Sequence, residues 1–261
     1  MPGIMVIAGT VDARAIIGEL VKEYSGVVAT VTTDYGRELL KGYAGLEVYR
    51  GKLDGPGMES FIGERDIRCL VDASHPFARE ASENALAACS ARAIPYLRYE
   101  RRSVEGEWGT VLKVKSFEEA AEAAGRLEGN ILLTVGSNQI KLFTEAVKDY
   151  KERLFARILP DSKMMARCEA AGLTARNLIA MKGPFSVEMN VELLKYCGAS
   201  ILVTKESGRE GGMPEKLEAA ERLGVRVILV ERPEVAYTNK VESIEEVLAF
   251  VRQQRGLERK K

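Results

Sequence analysis

Short apolar segments alternate with amphipathic helical segments along almost the whole chain, and this alternation restricts the fold more than any other feature. It is typical of an α/β architecture, in which helices cover both faces of a mostly parallel sheet. In the first half, the predicted strands are Ile4 to Ala8, Val27 to Thr32, Glu47 to Tyr49, Cys69 to Asp72 and Pro95 to Leu97. The helices predicted between them are Asp12 to Glu23, Tyr35 to Lys41, Gly57 to Glu64 and Ala78 to Arg92.

The pattern starts again at Asn130, after a polar stretch from Arg101 to Trp108 and a segment interpreted as a connector, with a strand from Val111 to Val114 and a helix capped at Ser116. The predicted strands that follow are Ile131 to Val135, Leu154 to Arg157, Leu178 to Met181, Ile201 to Thr204 and Val225 to Val230. The predicted helices are Gln139 to Val147, Lys163 to Ala170, Ser186 to Tyr196, Pro214 to Leu223 and Ser243 to Gln254. We therefore expect two Rossmann-like domains, residues 1–110 and 111–261, with the boundary between 100 and 130 and a cleft between them.

The charge balance, the cysteines and the single histidine restrict the partners, compartment and metal sites that we expect. Basic and acidic residues number 38 each, so the charge balance gives no argument for a nucleic-acid or membrane partner. The four cysteines form no CxxC pair, and no apolar stretch is long enough to cross a membrane, which favours a reducing cytoplasm. With a single histidine in the chain, we expect no metal site. The oligomeric state is left open.

The first turn is a candidate phosphate site. Gly9 allows close backbone approach, Thr10 offers a hydroxyl, and the following helix presents its free N–H groups and positive dipole end to an anion. Only one glycine of the usual GxGxxG fingerprint is present, so an ordinary tight turn remains an alternative. Asp12 is equally open to two interpretations, since an acid in the first helical turn also stabilises the helix dipole without any ligand.

The second predicted strand ends at the position where dinucleotide folds hold the adenosine ribose. Asp34 there could bind the ribose diol and favour NADH, whereas Arg37 could pair with the additional phosphate of NADPH. The alternative is that Asp34 caps the next helix and Arg37 faces solvent.

The segment CLVDASHPFA contains the only histidine, His75, in a turn directly after an apolar strand. Open α/β sheets bind ligands at such strand ends, and Pro76 restricts the turn. We favour a His75 imidazole that faces a ligand and either donates a proton or hydrogen-bonds a cofactor amide, with Ser74 adding a hydroxyl. The alternative is a histidine that satisfies only local backbone groups.

In the second half, Lys182 and Lys205 each follow an apolar strand and precede a flexible or capped turn. Two lysines at the same edge of a sheet would bind an anionic substrate, and Gly211 and Gly212 would leave the neighbouring loop mobile enough to close. Either lysine alone would be interpreted as a solvated strand-end residue.

Several linked motifs resemble the precorrin-6A reductases of cobalamin biosynthesis, including the cobalt-precorrin-6A reductases. In chain order they are AGTVDAR, TTDYG, VDASHPFA, PYLRYER, LLTVGSNQI, RILP, MKGPFS and TKESGREGGMPEKLEAA. The resemblance extends over nearly the whole chain. Ser74 departs from the threonine that is common in the family, but the hydroxyl is retained.

The resemblance implies a two-domain enzyme that uses NADPH or NADH to reduce a ring double bond of precorrin-6A or cobalt-precorrin-6A. It implies dinucleotide contacts from Gly9, Thr10, Asp12, Thr32, Thr33, Tyr35 and Gly36, with Ser74, His75, Pro76 and Phe77 bordering the nicotinamide and the macrocycle. The substrate contacts that it implies are Lys182, Lys205, Ser207 and Gly208. Further candidates for the substrate's many carboxylates are Arg79, Arg98, Arg101 and Arg102.

Two other classes of function fit a two-domain α/β chain. A nucleotide-sensing module would bind the cofactor without turnover, and a reductase of another anionic substrate would use the same dinucleotide domain. Turnover and the identity of the substrate distinguish these two alternatives from a precorrin-6A reductase.

Overall fold

The structure is a computed structural model that describes residues 3–102 and 110–260. It contains two compact units. The first comprises the described residues as far as Arg102 together with those from Glu234 onward, and the second comprises the described residues between them, as far as Pro233. Most of the predicted Arg101 to Trp108 stretch lies outside the described residues.

The first unit is a six-stranded sheet in the order β12-β5-β4-β1-β2-β3, with parallel pairing between all neighbours. Its strands are β1 (Gly3–Ile7), β2 (Val27–Val31), β3 (Leu46–Arg50), β4 (Ile67–Asp72), β5 (Tyr96–Tyr99) and β12 (Lys240–Val241). Its helices are α1 (Val11–Glu23), α2 (Asp34–Glu38), α3 (Gly55–Glu64), α4 (Arg79–Ala91) and α11 (Ile244–Gln253). Every strand and helix predicted for the first half is present.

Helices cover both faces of this sheet because each carries one apolar side. Ile16 and Leu20 of α1 pack with Val247 of α11 against one face. Phe61 of α3 and Ala85 of α4 pack against the other. The central strands are therefore buried on both faces, which explains their continuous apolar runs.

The second unit is also a parallel six-stranded sheet, in the order β6-β11-β10-β7-β8-β9. Its strands are β6 (Val111–Val114), β7 (Asn130–Leu133), β8 (Leu154–Ile158), β9 (Leu178–Ala180), β10 (Ala199–Lys205) and β11 (Arg226–Val230). Its helices are α5 (Phe117–Arg126), α6 (Ile140–Ala146), α7 (Tyr150–Arg153), α8 (Ser162–Ala170), α9 (Val187–Tyr196) and α10 (Met213–Arg222). The two parallel sheets with flanking helices confirm the predicted fold class.

The end of the chain corrects the predicted domain limits. Lys240 and Val241 pair with Arg98 and Tyr99 of β5, and the apolar side of α11 packs on α1, so residues from Glu234 onward belong to the first unit rather than to a domain that runs to 261. Conversely, β6 follows β5 in the chain but pairs with β11 in the second sheet. The segment from Val111 is thus part of the second sheet and not a connector.

Strand order reverses once in each sheet, between β1 and β4 and between β7 and β10. Ligands of open α/β sheets bind outside the carboxyl ends of the strands at such reversals. The turns after β1 and β4, and those after β7 and β10, are therefore the places where the fold itself favours a site. Among the described residues, no helix is long and apolar enough to span a membrane.

Candidate functional site

The turns after β1 and β4 are hydrogen-bonded to each other. Thr10 is the N-cap of α1 and accepts a hydrogen bond from the Ala13 amide at 3.0 Å. Its hydroxyl donates to the Ala73 carbonyl oxygen at 2.9 Å. One threonine thus fixes the start of the helix and joins the two sides of the strand-order reversal.

Gly9 has a φ of +139°, and a Cβ built on it would meet nothing within 4 Å. The backbone is therefore in a conformation that favours glycine, and open space lies beside the N–H groups at the start of α1. This is the arrangement that binds a diphosphate, so Gly9 and Thr10 fit a dinucleotide. Asp12 is nearly buried and forms an ion pair with Arg101, a contact that the sequence did not reveal.

At the end of β2, Thr33 is the N-cap of α2 and accepts from the Gly36 amide at 3.0 Å. The alternative in which Asp34 caps this helix is therefore wrong. The Asp34 side chain is 76% exposed, and its carboxylate lies 3.1 Å from Nε of Arg50. Tyr35 and Thr32 are also exposed, so the predicted ribose-binding residues lie together on an accessible turn.

His75 lies partly buried in the turn between β4 and α4. Its Nδ1 accepts a hydrogen bond from the Phe77 amide at 3.1 Å, and the two rings lie 5.8 Å apart. Because Nδ1 accepts, the proton of the neutral imidazole is assigned to Nε2. Local backbone bonding therefore uses one ring nitrogen and orients the other as a donor.

A buried polar network lies directly behind this turn and is centred on Asp72, the last residue of β4. Its fully buried carboxylate accepts hydrogen bonds from the Ser74 amide at 3.0 Å, the Ser82 hydroxyl at 2.5 Å, the Tyr96 hydroxyl at 2.8 Å and Nη1 of Arg98 at 3.0 Å. Burial and the Asp72 charge raise the pKa of Tyr96 well above its ordinary value. Four donors from four positions hold one carboxylate, so the network fixes the start of the His75 turn.

The prediction that Arg98 binds a substrate carboxylate is wrong. The side chain is fully buried and forms a second ion pair with Glu100 at 3.0 Å. Nη1 of Arg98 also donates to the Ser74 hydroxyl at 3.0 Å, and the guanidinium lies 5.3 Å from the ring of Tyr237. Although burial disfavours its charge, the neighbouring Asp72, Tyr237 and Glu100 raise the pKa of Arg98. Arg98 is thus a structural cation, and Ser74 faces inward rather than toward a ligand.

The other arginine candidates have partners within the first unit. Arg79 pairs with Glu83 at 2.6 Å along α4 and is 60% exposed. Arg102 pairs with Glu242.

In the second unit, Lys182 follows the carboxyl end of β9 and Lys205 is the last residue of β10, but β7 and β8 lie between these strands. At about 4.8 Å per strand, the two strand ends are roughly 14 Å apart. Burial lowers the pKa of Lys205 to about 8. Ser207 and Gly208 continue from the same strand, and Gly208 has a φ of +70°. The structure thus leaves Lys205, Ser207 and Gly208 beside the strand-order reversal, with Lys182 at the edge of the sheet.

The strand order of each unit and the turns at its reversal define a class of protein: two-domain α/β proteins with Rossmann-like topology. The model of the family described as precorrin-6x reductase CbiJ/CobK matches residues 3–252 of this chain. The chain belongs to that family, and it is an oxidoreductase of cobalamin biosynthesis.

Individual relatives agree with this assignment. The cobalt-precorrin-6A reductase of Priestia megaterium is 42% identical over 255 residues, which cover 97% of this chain and 100% of that protein. The cobalt-precorrin-6A reductase of Methanothermobacter thermautotrophicus is 40% identical and covers 89% of this chain and 77% of its own length. A solved structure, CobK precorrin-6A reductase, superimposes with a TM-score of 0.82 over 100% of both chains at 22% sequence identity, which shows the same fold.

Proposed function

We propose that this protein reduces cobalt-precorrin-6A to the 6B form with hydride from NADPH or NADH. The substrate assignment rests on the 42% identity to a cobalt-precorrin-6A reductase over nearly the whole chain. The cofactor assignment is supported by the turn at Gly9 and Thr10, which fits a diphosphate beside the start of a 13-residue helix.

When bound, the dihydronicotinamide supplies the hydride. The chain's own residues bind, orient and supply a proton. Gly9, Thr10 and the first amides of α1 bind the diphosphate, and the exposed turn at Thr32 to Gly36 binds the ribose, with Asp34 accepting hydroxyl donors. Pro76 and Phe77 border the reacting groups and exclude water. Nε2–H of the neutral His75 ring donates a hydrogen bond to the reacting groups. When the ring has taken a second proton from solvent, the imidazolium gives the proton that completes reduction of the double bond and returns to the neutral form.

Cations of the second unit bind the carboxylates of the macrocycle in this proposal. Lys205 supplies a cation at the strand-order reversal, where Ser207 and Gly208 add hydrogen-bonding groups, and Lys182 is a further contact. Arg79 of the first unit stays a predicted contact for a substrate carboxylate. The cleft expected from the sequence stays a prediction.

We also assign the enzyme to the cytoplasm. All four cysteines are buried free thiols, and burial raises the pKa of Cys69 and of Cys89 to about 12, which protects both from oxidation. Free thiols fit a compartment that is kept reducing.

An anaerobic assay tests the proposed function. Purified protein is mixed with cobalt-precorrin-6A or with metal-free precorrin-6A, each with NADH and with NADPH, while cofactor absorbance and macrocycle mass are followed. A gain of two hydrogens by the cobalt form, matched to cofactor oxidation, is the expected result. Preference for the metal-free ring would correct the substrate, and cofactor binding with no mass change in either ring would favour a nucleotide-sensing role.

Replacing Gly9 by valine should weaken dinucleotide binding about tenfold or more, because the new side chain fills the space beside the helix amides and removes charge-assisted hydrogen bonds. The dissociation constant is measured by calorimetry. Gly42→Val is the matched control, since Gly42 also has a positive φ, +103°, with nothing within 4 Å of a Cβ. If both variants lose affinity equally, backbone strain and not the lost phosphate contact is the cause.

Replacing Asp34 by alanine should shift the preference toward NADPH, with the ratio of kcat/KM for NADPH and NADH rising about tenfold. The change removes a carboxylate that repels the additional phosphate and leaves the Arg50 guanidinium beside it. Steady-state kinetics with both cofactors measure the ratio. Glu38→Ala is the control, because Glu38 lies exposed on the same helix and pairs with Lys41. An unchanged ratio for Asp34→Ala would remove Asp34 from the cofactor site.

A further inference from the structure

A group of basic side chains lies at the carboxyl edge of the second sheet, on and beside the face covered by α9 and α10. Lys216 of α10 directs its ammonium to the hydroxyl of Thr204, near the end of β10, and Lys205 is the next residue of that strand. Arg157, near the end of β8, donates to Oδ1 of Asn190 on α9 at 2.8 Å. Its guanidinium lies 4.3 Å from the ring of Phe185, so it is held in one orientation.

Lys216 is the unusual member, because a lysine in a helix ordinarily reaches solvent. It is only 6% exposed, and within the described part of the chain its ammonium makes one polar contact, to Thr204 at 3.5 Å, the outer limit of a hydrogen bond. Burial, followed by the charges of Arg157 and Lys205, lowers the pKa of Lys216 to about 7. The carboxylate of Glu215 on the same helix opposes this effect only in part.

A second unsatisfied group lies in the loop that joins β10 to α10. The hydroxyl oxygen of Ser207 is buried and has no hydrogen-bond partner among the described residues. It lies against Gly211, where a Cβ would come within 2.1 Å of it, so the loop depends on glycine at this point. Gly212, with a φ of +65°, then turns the chain into the 10-residue helix α10. The backbone N–H groups at the start of that helix face the same edge of the sheet.

An anion is the ligand that satisfies both the Lys216 ammonium and the Ser207 hydroxyl. Buried positive charge is costly unless a negative group pairs with it, and the Glu215 carboxylate offsets the effect of burial and of the neighbouring cations on Lys216 only in part. A carboxylate has two oxygens that accept hydrogen bonds from an ammonium, a hydroxyl and backbone amides together. The phosphates of the cofactor are assigned to the first unit, whereas the macrocycle brings carboxylates.

We propose that Lys216, with Arg157 and Ser207, forms a carboxylate-binding subsite next to Lys205 and that it binds one acidic side chain of the macrocyclic substrate. This inference rests on the proposed function and adds two basic residues that the sequence did not single out. Binding draws one proton onto Lys216, because the bound carboxylate stabilises its charged form. The subsite is thus partly uncharged when empty near neutral pH and fully charged when occupied.

The test is the affinity of the Lys216→Met variant for cobalt-precorrin-6A, measured by equilibrium dialysis with the oxidised cofactor present so that no turnover occurs. We expect affinity to fall about tenfold to a hundredfold, with unchanged cofactor affinity. Lys195→Met is the matched control, since Lys195 lies exposed on α9 and pairs with Glu192 at 2.8 Å. It removes the same charge from the same unit and should leave binding unchanged.

Folding of the variant is checked separately. Methionine has nearly the volume of lysine, and it removes a buried charge, so Lys216→Met should melt at or above the temperature of the wild type. Arg157→Gln is a second variant, with the same expected loss of macrocycle affinity. The protonation of Lys216 is also followed by nitrogen NMR of the lysine side chains at pH 8, where addition of the macrocycle should convert it from mostly neutral to charged.

The outcomes are distinguishable. A wild type that reduces the macrocycle, together with a folded Lys216→Met variant whose affinity is unchanged, overturns the subsite and leaves the proposed function intact. If Lys195→Met loses as much macrocycle affinity as Lys216→Met, the loss reflects a general effect of charge, and this result also overturns the subsite. A wild type that does not bind the macrocycle refutes the proposed function, and the subsite with it.

Discussion

Replacing Arg98 by methionine is expected to destabilise the protein by about 3–5 kcal/mol, since the fully buried carboxylate of Asp72 would lose its cation and Glu100 would keep only the ion pair with Lys240. The side chain of Arg98 is fully buried, so solvent cannot replace it. Denaturant unfolding measures the free energy, and the transition assigned to the first unit is the one that should move. Methionine has nearly the volume of arginine, so the lost stability is caused by the missing charge and not by a cavity.

The pairing itself is tested by comparison with an exposed ion pair. Arg79→Met removes the partner of Glu83 on α4, and the free energy of unfolding should change by less than about 0.5 kcal/mol because both groups are hydrated. Adding Asp72→Asn to Arg98→Met should recover part of the lost stability, because one unpaired buried carboxylate is removed. A loss below about 1 kcal/mol for Arg98→Met would mean that water or rearrangement satisfies both carboxylates.

The strands and turns of the first unit could be predicted because each carries a local signal. A continuous apolar run such as that before Asp72 indicates a buried parallel strand, and a threonine before a helix indicates its cap. The two-residue strand β12 has no such signal. Its place beside β5 follows from long-range packing of α11 on α1, which no local pattern shows.

The places of the candidate site residues could be predicted where they follow from the backbone, and not where they depend on side-chain partners. Gly9, Thr10 and His75 lie at strand ends, and strand ends could be located. The prediction for Arg98 is wrong because a charged residue in PYLRYE suggests an exposed position, whereas its partner Asp72 lies on another strand. Lys216 has the sequence context of an ordinary charged helix, and only the packing of α10 on the sheet shows that it is buried.

Replacing His75 by alanine should lower kcat about a hundredfold or more, with little change in the dissociation constant of the cofactor, if Nε2 supplies the proton of the reduction. The Phe77 amide donates to Nδ1 of the neutral ring, so Nε2–H is a hydrogen-bond donor, and proton transfer requires that the ring first take a second proton from solvent. Single-turnover rates and cofactor binding are measured side by side. Unchanged turnover would reject a role in the reaction.

His75→Gln separates proton donation from hydrogen bonding to the cofactor amide. The glutamine amide can donate a hydrogen bond in place of Nε2, but it has no proton to transfer. A proton-donating His75 therefore predicts that His75→Gln is as slow as His75→Ala and that the solvent deuterium isotope effect on turnover changes in both. Recovery of kcat by glutamine would instead assign His75 to positioning the nicotinamide. In either case the buried Asp72 network holds the turn, so a kinetic loss without a loss of stability places His75 at the reacting atoms rather than in the fold.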